Sequence, residues 1–127
     1  MSFKYFNAHP KGKIVGDCVK RAIATATEED YMEVQRMLNR VKREVGALEF
    51  NDDRVLYTVI RRQGWQIQSF PAEKGKPRMN GKRFCKAYPK GRYILQMAHH
   101  WTACVDGVIY DTWDCSEKCV YRAYKVK

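Results

Sequence analysis

The dipeptide Asp106-Gly107, set between two runs of β-branched and aromatic residues, constrains this chain most. Both central positions of a type I′ turn need positive φ, which Asp-Gly tolerates, so the flanking segments are predicted to form a tight β-hairpin. A two-residue turn fixes the register. Val105 then faces Val108, Cys104 faces Ile109, Ala103 faces Tyr110 and Thr102 faces Asp111. Further out, Trp101 meets Thr112, His100 meets Trp113 and His99 meets Asp114. Strand residues alternate faces, so His100 and Asp111 share one face as diagonal neighbours within mutual reach. His99 and Asp114 form an alternative pair on the other face. The first pair is preferred, because a bend is expected at Ala98, beside His99. Trp113 is placed to shield the preferred pair from water.

A thiol completes the constellation. Gly16-Asp17-Cys18-Val19-Lys20-Arg21-Ala22-Ile23 reads as a helix start. Asp17 is the expected cap, and Val19, Ala22, Ile23 and Ala26 fall on a buried side. A free thiol titrates near about 8.5, and both a helix N-terminus and a neighbouring imidazolium favour its thiolate. Cys18, His100 and Asp111 therefore have the chemistry of nucleophile, general base and orienting carboxylate. The backbone N–H of Cys18 is the first candidate oxyanion donor, and Asn7, in the upstream arm, the second.

The remaining chain supplies a scaffold. Residues 1–16 read as an irregular arm with a short edge strand. Thr27 is expected to cap a second helix whose apolar stripe is Tyr31, Val34, Leu38, Val41 and Val45, ending at Gly46. Asn51 is expected to cap a third, which stops at Gly64. Strands are predicted at 65–70, 93–97 and 119–126. Residues 71–92, with four glycines or prolines before Phe84 and two after it, read as a loop. Helices first and strands later predict an α+β fold: N-terminal helices packed on a C-terminal antiparallel sheet, in one domain spanning 1–127.

Composition bounds the partners. The net charge is +10, and Lys74, Lys76, Arg78, Lys82, Arg83, Lys86, Lys90 and Arg92 crowd the 74–92 loop with Phe84, Tyr88 and Tyr93 among or beside them. Cations for phosphates and rings for bases make nucleic acid one candidate partner, and an acidic protein another. No apolar run approaches the ~20 residues of a membrane span, and no apolar leader opens the chain, so no membrane partner is expected. Five cysteines form no dense disulfide framework, which points to a reducing compartment such as the cytoplasm. Cys115 and Cys119 lack the two-residue knuckle spacing and a second cysteine pair, so neither a metal nor a cofactor is expected.

The Gly16–Ile23 start, the His100-Trp101-Thr102-Ala103 strand and the segment Val105–Asp114 together resemble the papain-like cysteine peptidase superfamily, and within it the C39-peptidase-like branch. They are also similar to small bacteriophage and prophage proteins, over about residues 7–124. The resemblance implies a papain-like fold with its active site between helices and sheet. It also implies a Cys18-His100-Asp111 triad, a peptide or protein substrate, and the host cytoplasm if the chain is phage-encoded. The glutamine that usually precedes the cysteine in that superfamily is absent from residues 11–17. The activity implied is that of a cysteine hydrolase, a peptidase or amidase. The same triad suits an acyl transferase, and the alternative is an inactive binding protein on the same fold that engages nucleic acid or an acidic host protein.

Overall fold

The structure, a computed structural model, describes residues 2–126. Its α+β architecture comprises β1 (Phe3–Tyr5), α1 (Cys18–Thr27), α2 (Tyr31–Val45), α3 (Asp53–Gln63), β2 (Gln66–Ser69), α4 (Gly81–Ala87), β3 (Arg92–Met97), β4 (His100–Val105), β5 (Val108–Asp111) and β6 (Arg122–Lys125). The strands form one sheet in the order β1-β5-β4-β3-β6-β2. Among the described residues no helix is long and apolar enough to cross a membrane.

The hairpin forms in the predicted register: Val105 pairs with Val108, Cys104 with Ile109 and Ala103 with Tyr110. Asp106 and Gly107 take φ of 48° and 77°, as the turn requires. The bend before β4 also forms, and His99 enters the left-handed region at φ 52°. The sheet is mixed, however, and the all-antiparallel expectation is corrected at one edge. There β1 lies parallel to β5, pairing Phe3 with Ile109 and Tyr5 with Asp111. A parallel pair needs a long crossover, and here the whole intervening chain supplies it.

Two cores sandwich the sheet. On one face, Val19, Ala22 and Ile23 of α1 and apolar residues of α2 and α3 bury Ile94, Trp101, Ala103 and Tyr124. On the other, Phe84 and Cys85 of α4 join Tyr93, Leu95, Met97, Cys104, Ile109, Cys115 and Val120. Helix starts differ from expectation by a few residues. Asp30, not Thr27, caps α2 by accepting from the backbone N–H groups of Met32 and Glu33. Asp52, not Asn51, caps α3 by accepting from Arg54 N–H. Both predicted stops, Gly46 and Gly64, hold with positive φ.

The 71–92 segment is more ordered than predicted. Asn80 caps the seven-residue helix α4. Phe84 stacks on Tyr88 at 4.4 Å and meets Tyr93 edge-on at 5.1 Å. These rings are therefore spent on packing, which removes the base-stacking platform that the sequence offered. Arg92 is also withdrawn from the basic surface. Its Nε donates to Ala26 O at 2.7 Å and its Nη2 to Thr25 O at 2.8 Å.

That arginine orients the helix that matters most. Arg92 lies opposite Val105, at the end of β4, and binds the last carbonyls of α1. A cation there also complements the negative end of the helix dipole. The helix consequently runs along β4 with its C-terminus at Val105 and its N-terminus at His100. Replacing the guanidinium, as in Arg92→Met, is expected to lower the unfolding free energy by about 1.5–3 kcal/mol, the range for hydrogen bonds to a charged group. Urea denaturation measures it, and an unchanged midpoint would mean that packing alone seats the helix.

Candidate active site

The N-terminus of α1 delivers Cys18 to the start of β4. Cys18 is half-buried, in a cavity of about 290 Å³ whose walls include Asn51, Leu56, Gln96, His99 and His100. His100 is the first residue of its strand, and Asp111 the last of β5. The two therefore meet at the same end of the sheet. His100 Nε2 lies 2.7 Å from Asp111 Oδ2, and both side chains are buried. With Nε2 engaged, Nδ1 is the ring nitrogen left for Cys18. Trp113 lies 5.0 Å from the imidazole, ring centre to ring centre, at 52°, and covers it as expected.

Asp111 is held from several sides. Thr102 Oγ1 donates to Oδ2 at 2.6 Å, and the backbone N–H of Thr112 donates to Oδ1 at 2.7 Å. The Cys115 thiol donates to Oδ2 at 3.6 Å. Arg21 Nη2 stands 3.4 Å from Oδ1 while its Nη1 contacts Asp17 Oδ1 at 2.5 Å. Tyr31 donates to the other Asp17 oxygen at 2.7 Å. A buried chain thus runs from Tyr31 through Asp17 and Arg21 to Asp111 and His100. It changes the role of Asp17. That residue occupies the cap position of α1, but its side chain makes no capping bond. The carboxylate serves Arg21 and Tyr31, and the first N–H groups of the helix are left uncapped by it.

The charges follow from this geometry. Burial opposes ionisation of Cys18. The hydrogen bond from His100, the backbone N–H of Trp101 and the charges of His100 and Arg21 outweigh it, and hold the thiol below its ordinary value. Burial also opposes an imidazolium at position 100. Hydrogen bonds with Asp111, Cys115 and Cys18 prevail and push its pKa up to about 11. Burial would raise Asp111, yet His100 and Thr102 keep it below the usual carboxylate range. Tyr31 is pushed up, first by burial and then by Asp17. The three shifts act together: each favours the charged form of its group, the thiolate of Cys18, the imidazolium of His100 and the carboxylate of Asp111.

Other sequence expectations land elsewhere. Asn7 is not aimed at the thiol. Its Nδ2 donates to Lys13 O at 3.0 Å and its Oδ1 accepts from His9 N–H at 3.0 Å, so it staples the arm. The alternative pair does not form: Asp114 accepts from Ser116 N–H at 3.0 Å, and His99 occupies the exposed turn. Cys115 and Cys119 are free thiols. His100, Asp111 and Cys115 bring ligand-type atoms within 4.8 Å of one another. His100 Nε2, Thr102 Oγ1 and Cys115 Sγ all hydrogen-bond to Asp111 Oδ2 there. A larger cavity, about 610 Å³, lies at the other end of α1 against Tyr31, Arg92 and Tyr110. None of its lining residues is a cysteine or histidine.

Arg21 was missed as a site residue because a lysine-arginine pair reads as solvated surface. Its spacing of four from Asp17 was the available signal. Thr102 was legible, as the residue facing Asp111 in the hairpin register.

The pKa directions give a test. The folded protein holds a proton on His100 from its unfolded value, near 6.5, up to about 11. Stability from this group is full below the lower value and is lost as pH rises through the upper one. Asp111 acts oppositely: its contribution is present above about 3.8 and fades as pH falls through its depressed folded value. NMR titration should show the His100 ring still protonated at neutral pH. In Asp111→Asn the ring should release its proton at much lower pH, and alkaline unfolding should begin earlier. A ring titrating near 6.5 in the unaltered protein would contradict the ion-pair assignment.

Compared with known proteins, the chain matches no family model, no curated sequence and no solved structure.

Proposed function

We propose that this chain is a papain-like cysteine hydrolase that opens peptide, isopeptide or related amide bonds through a thioester at Cys18. One observation carries the reading: a thiol at the start of a helix meets an imidazole whose far nitrogen is held by a buried carboxylate. Cys18 Sγ attacks the carbonyl carbon, and the carbonyl π electrons move to oxygen. As the tetrahedral species collapses, the C–N bond breaks and His100 gives its proton to the leaving amine. A water then attacks the thioester with His100 as base, releasing the acid and restoring the thiolate. Asp111 fixes the ring orientation throughout. An acyl acceptor other than water would make the same intermediate a transferase step.

The backbone N–H of Cys18 is one oxyanion donor. Gln96 is the side chain we assign as the second. It lines the same cavity, and its Oε1 accepts a hydrogen bond from Tyr124. With its oxygen occupied, its amide N–H groups are the ones left to serve the cavity. A strand-borne glutamine would stand in for the one absent before Cys18.

The second reading, a binding module, is favoured by the exposed Lys74, Lys82, Lys86 and Lys90. With Phe84, Tyr88 and Tyr93 packed inward, that surface suits an acidic protein better than nucleic-acid bases.

Two experiments separate these readings. Iodoacetamide should alkylate Cys18 well below pH 8 and ahead of the other four thiols, and His100→Ala should erase the preference, as followed by peptide mass spectrometry. Equal, slow labelling of all five would support the binding module. Gln96→Ala should leave the alkylation rate unchanged, because alkylation develops no oxyanion. It should slow acylation by p-nitrophenyl acetate by about 10²-fold, the usual cost of one oxyanion donor. Equal effects on both reactions would remove Gln96 from that role.

A further inference from the structure

A second pair of thiols lies away from Cys18. Cys85, in the middle of α4, and Cys104, in β4, place their sulfurs 3.7 Å apart. This is van der Waals contact, and nineteen residues separate the two in sequence. Cys104 is fully buried. Cys85 is nearly so, but it lines an outer cavity of about 460 Å³ together with Ser2, Lys82, Lys86 and Gly107. The opening passes beside the β4–β5 turn. A Cβ at Gly107 would stand 3.0 Å from the Cys85 carbonyl oxygen, and its φ of +77° also favours glycine.

We infer that Cys85 and Cys104 form an oxidation-sensitive pair, in which Cys85 meets a small hydroperoxide from the outer cavity and Cys104 resolves the product. The features divide the roles. Lys82 and Lys86 flank the mouth, where their positive charge receives a polar oxidant, and the Cys85 Sγ also lies 3.7 Å from the Ser2 carbonyl oxygen. The Cys104 thiol hydrogen-bonds to the Cys85 sulfur and holds its pKa down, against the effect of burial. In the first step the Cys85 thiolate attacks the peroxide O–O bond. Cys85 becomes a sulfenic acid, and the hydroperoxide leaves as an alcohol or water. In the second, the Cys104 sulfur displaces that hydroxyl as water, and the disulfide forms. Two thiols are oxidised and one hydroperoxide is reduced. The sulfurs close from contact distance to about 2.05 Å, and the bond ties α4 to the central strand.

The pair is independent of the proposed hydrolase chemistry, so the test is made in the Cys18→Ser variant, where four thiols remain of five. The reduced protein is treated with equimolar hydrogen peroxide, denatured and titrated for thiols. Two of the four should disappear together. Tryptic mapping should show the Phe84–Lys86 peptide linked through Cys85 to Cys104. Cys104→Ala and Cys85→Ala should each abolish the link, and two variants guard against one failing to fold. Retention of all four thiols, a link through Cys115 or Cys119, or loss of two thiols as a disulfide in Cys104→Ala would each overturn the assignment.

Discussion

A buried carboxylate is the constraint around which this molecule is arranged. Taking Asp111 out of water costs several kcal/mol unless every lone pair finds a donor. Here the donors come from four places in the chain. His100 and Thr102 lie across the hairpin, Thr112 follows in sequence, Cys115 sits beyond it, and Arg21 reaches in from α1. Each partner requires a particular element to be in place. The hairpin register brings His100 and Thr102, and the seating of α1 brings Arg21. The carboxylate thus ties the helical layer to the sheet at the point where Cys18 enters.

Arg21 connects this arrangement to the start of α1. Its guanidinium is shared between Asp17 and Asp111, so Asp17 is compensated by Arg21 and Tyr31, and Asp111 has Arg21 as a cation beyond the His100 imidazolium. Withdrawing Asp17 from its capping role costs the helix about 1 kcal/mol by the usual measure of a lost cap. The compensation is an N-terminus whose N–H groups stay open beside the thiol. At the opposite end Arg92 binds the last carbonyls. One end of α1 is closed by a cation and the other left open toward the cavity, which suits a helix that presents a nucleophile.

How much of this the sequence disclosed depends on which force decides each element. The hairpin was legible to the residue, because a period of two and a two-residue turn leave one register with apolar side chains inside. The His100–Asp111 pairing followed from it, and Cys18 was read separately, from the start of its helix. Helix starts slipped where several capping residues lie together, as at Thr27 to Asp30 and at Asn51 to Asp53, and local sequence does not rank them. Helix α4 was invisible for a different reason. Seven residues are too few to be helical by propensity, and α4 exists because Phe84 and Cys85 are buried against the sheet. The parallel edge strand, the inward turn of the 84–93 aromatics and the withdrawal of Arg92 are likewise tertiary facts. Asn7 failed as a donor because its amide could meet its needs within its own loop.

Two thiols, Cys18 and Cys115, flank the same imidazole, and their surroundings separate them. The Cys115 sulfur is buried and lies 3.6 Å from the Asp111 carboxylate. Its thiol donates to that carboxylate. Cys18 meets the positive end of α1, the Trp101 N–H, the imidazolium and the Arg21 charge. It is also the one of the two that lines the cavity. Position relative to Asp111 therefore assigns the roles. The carboxylate that stabilises the imidazolium on one side makes the nearer sulfur a hydrogen-bond donor, while the farther one meets the imidazolium and the open end of the helix.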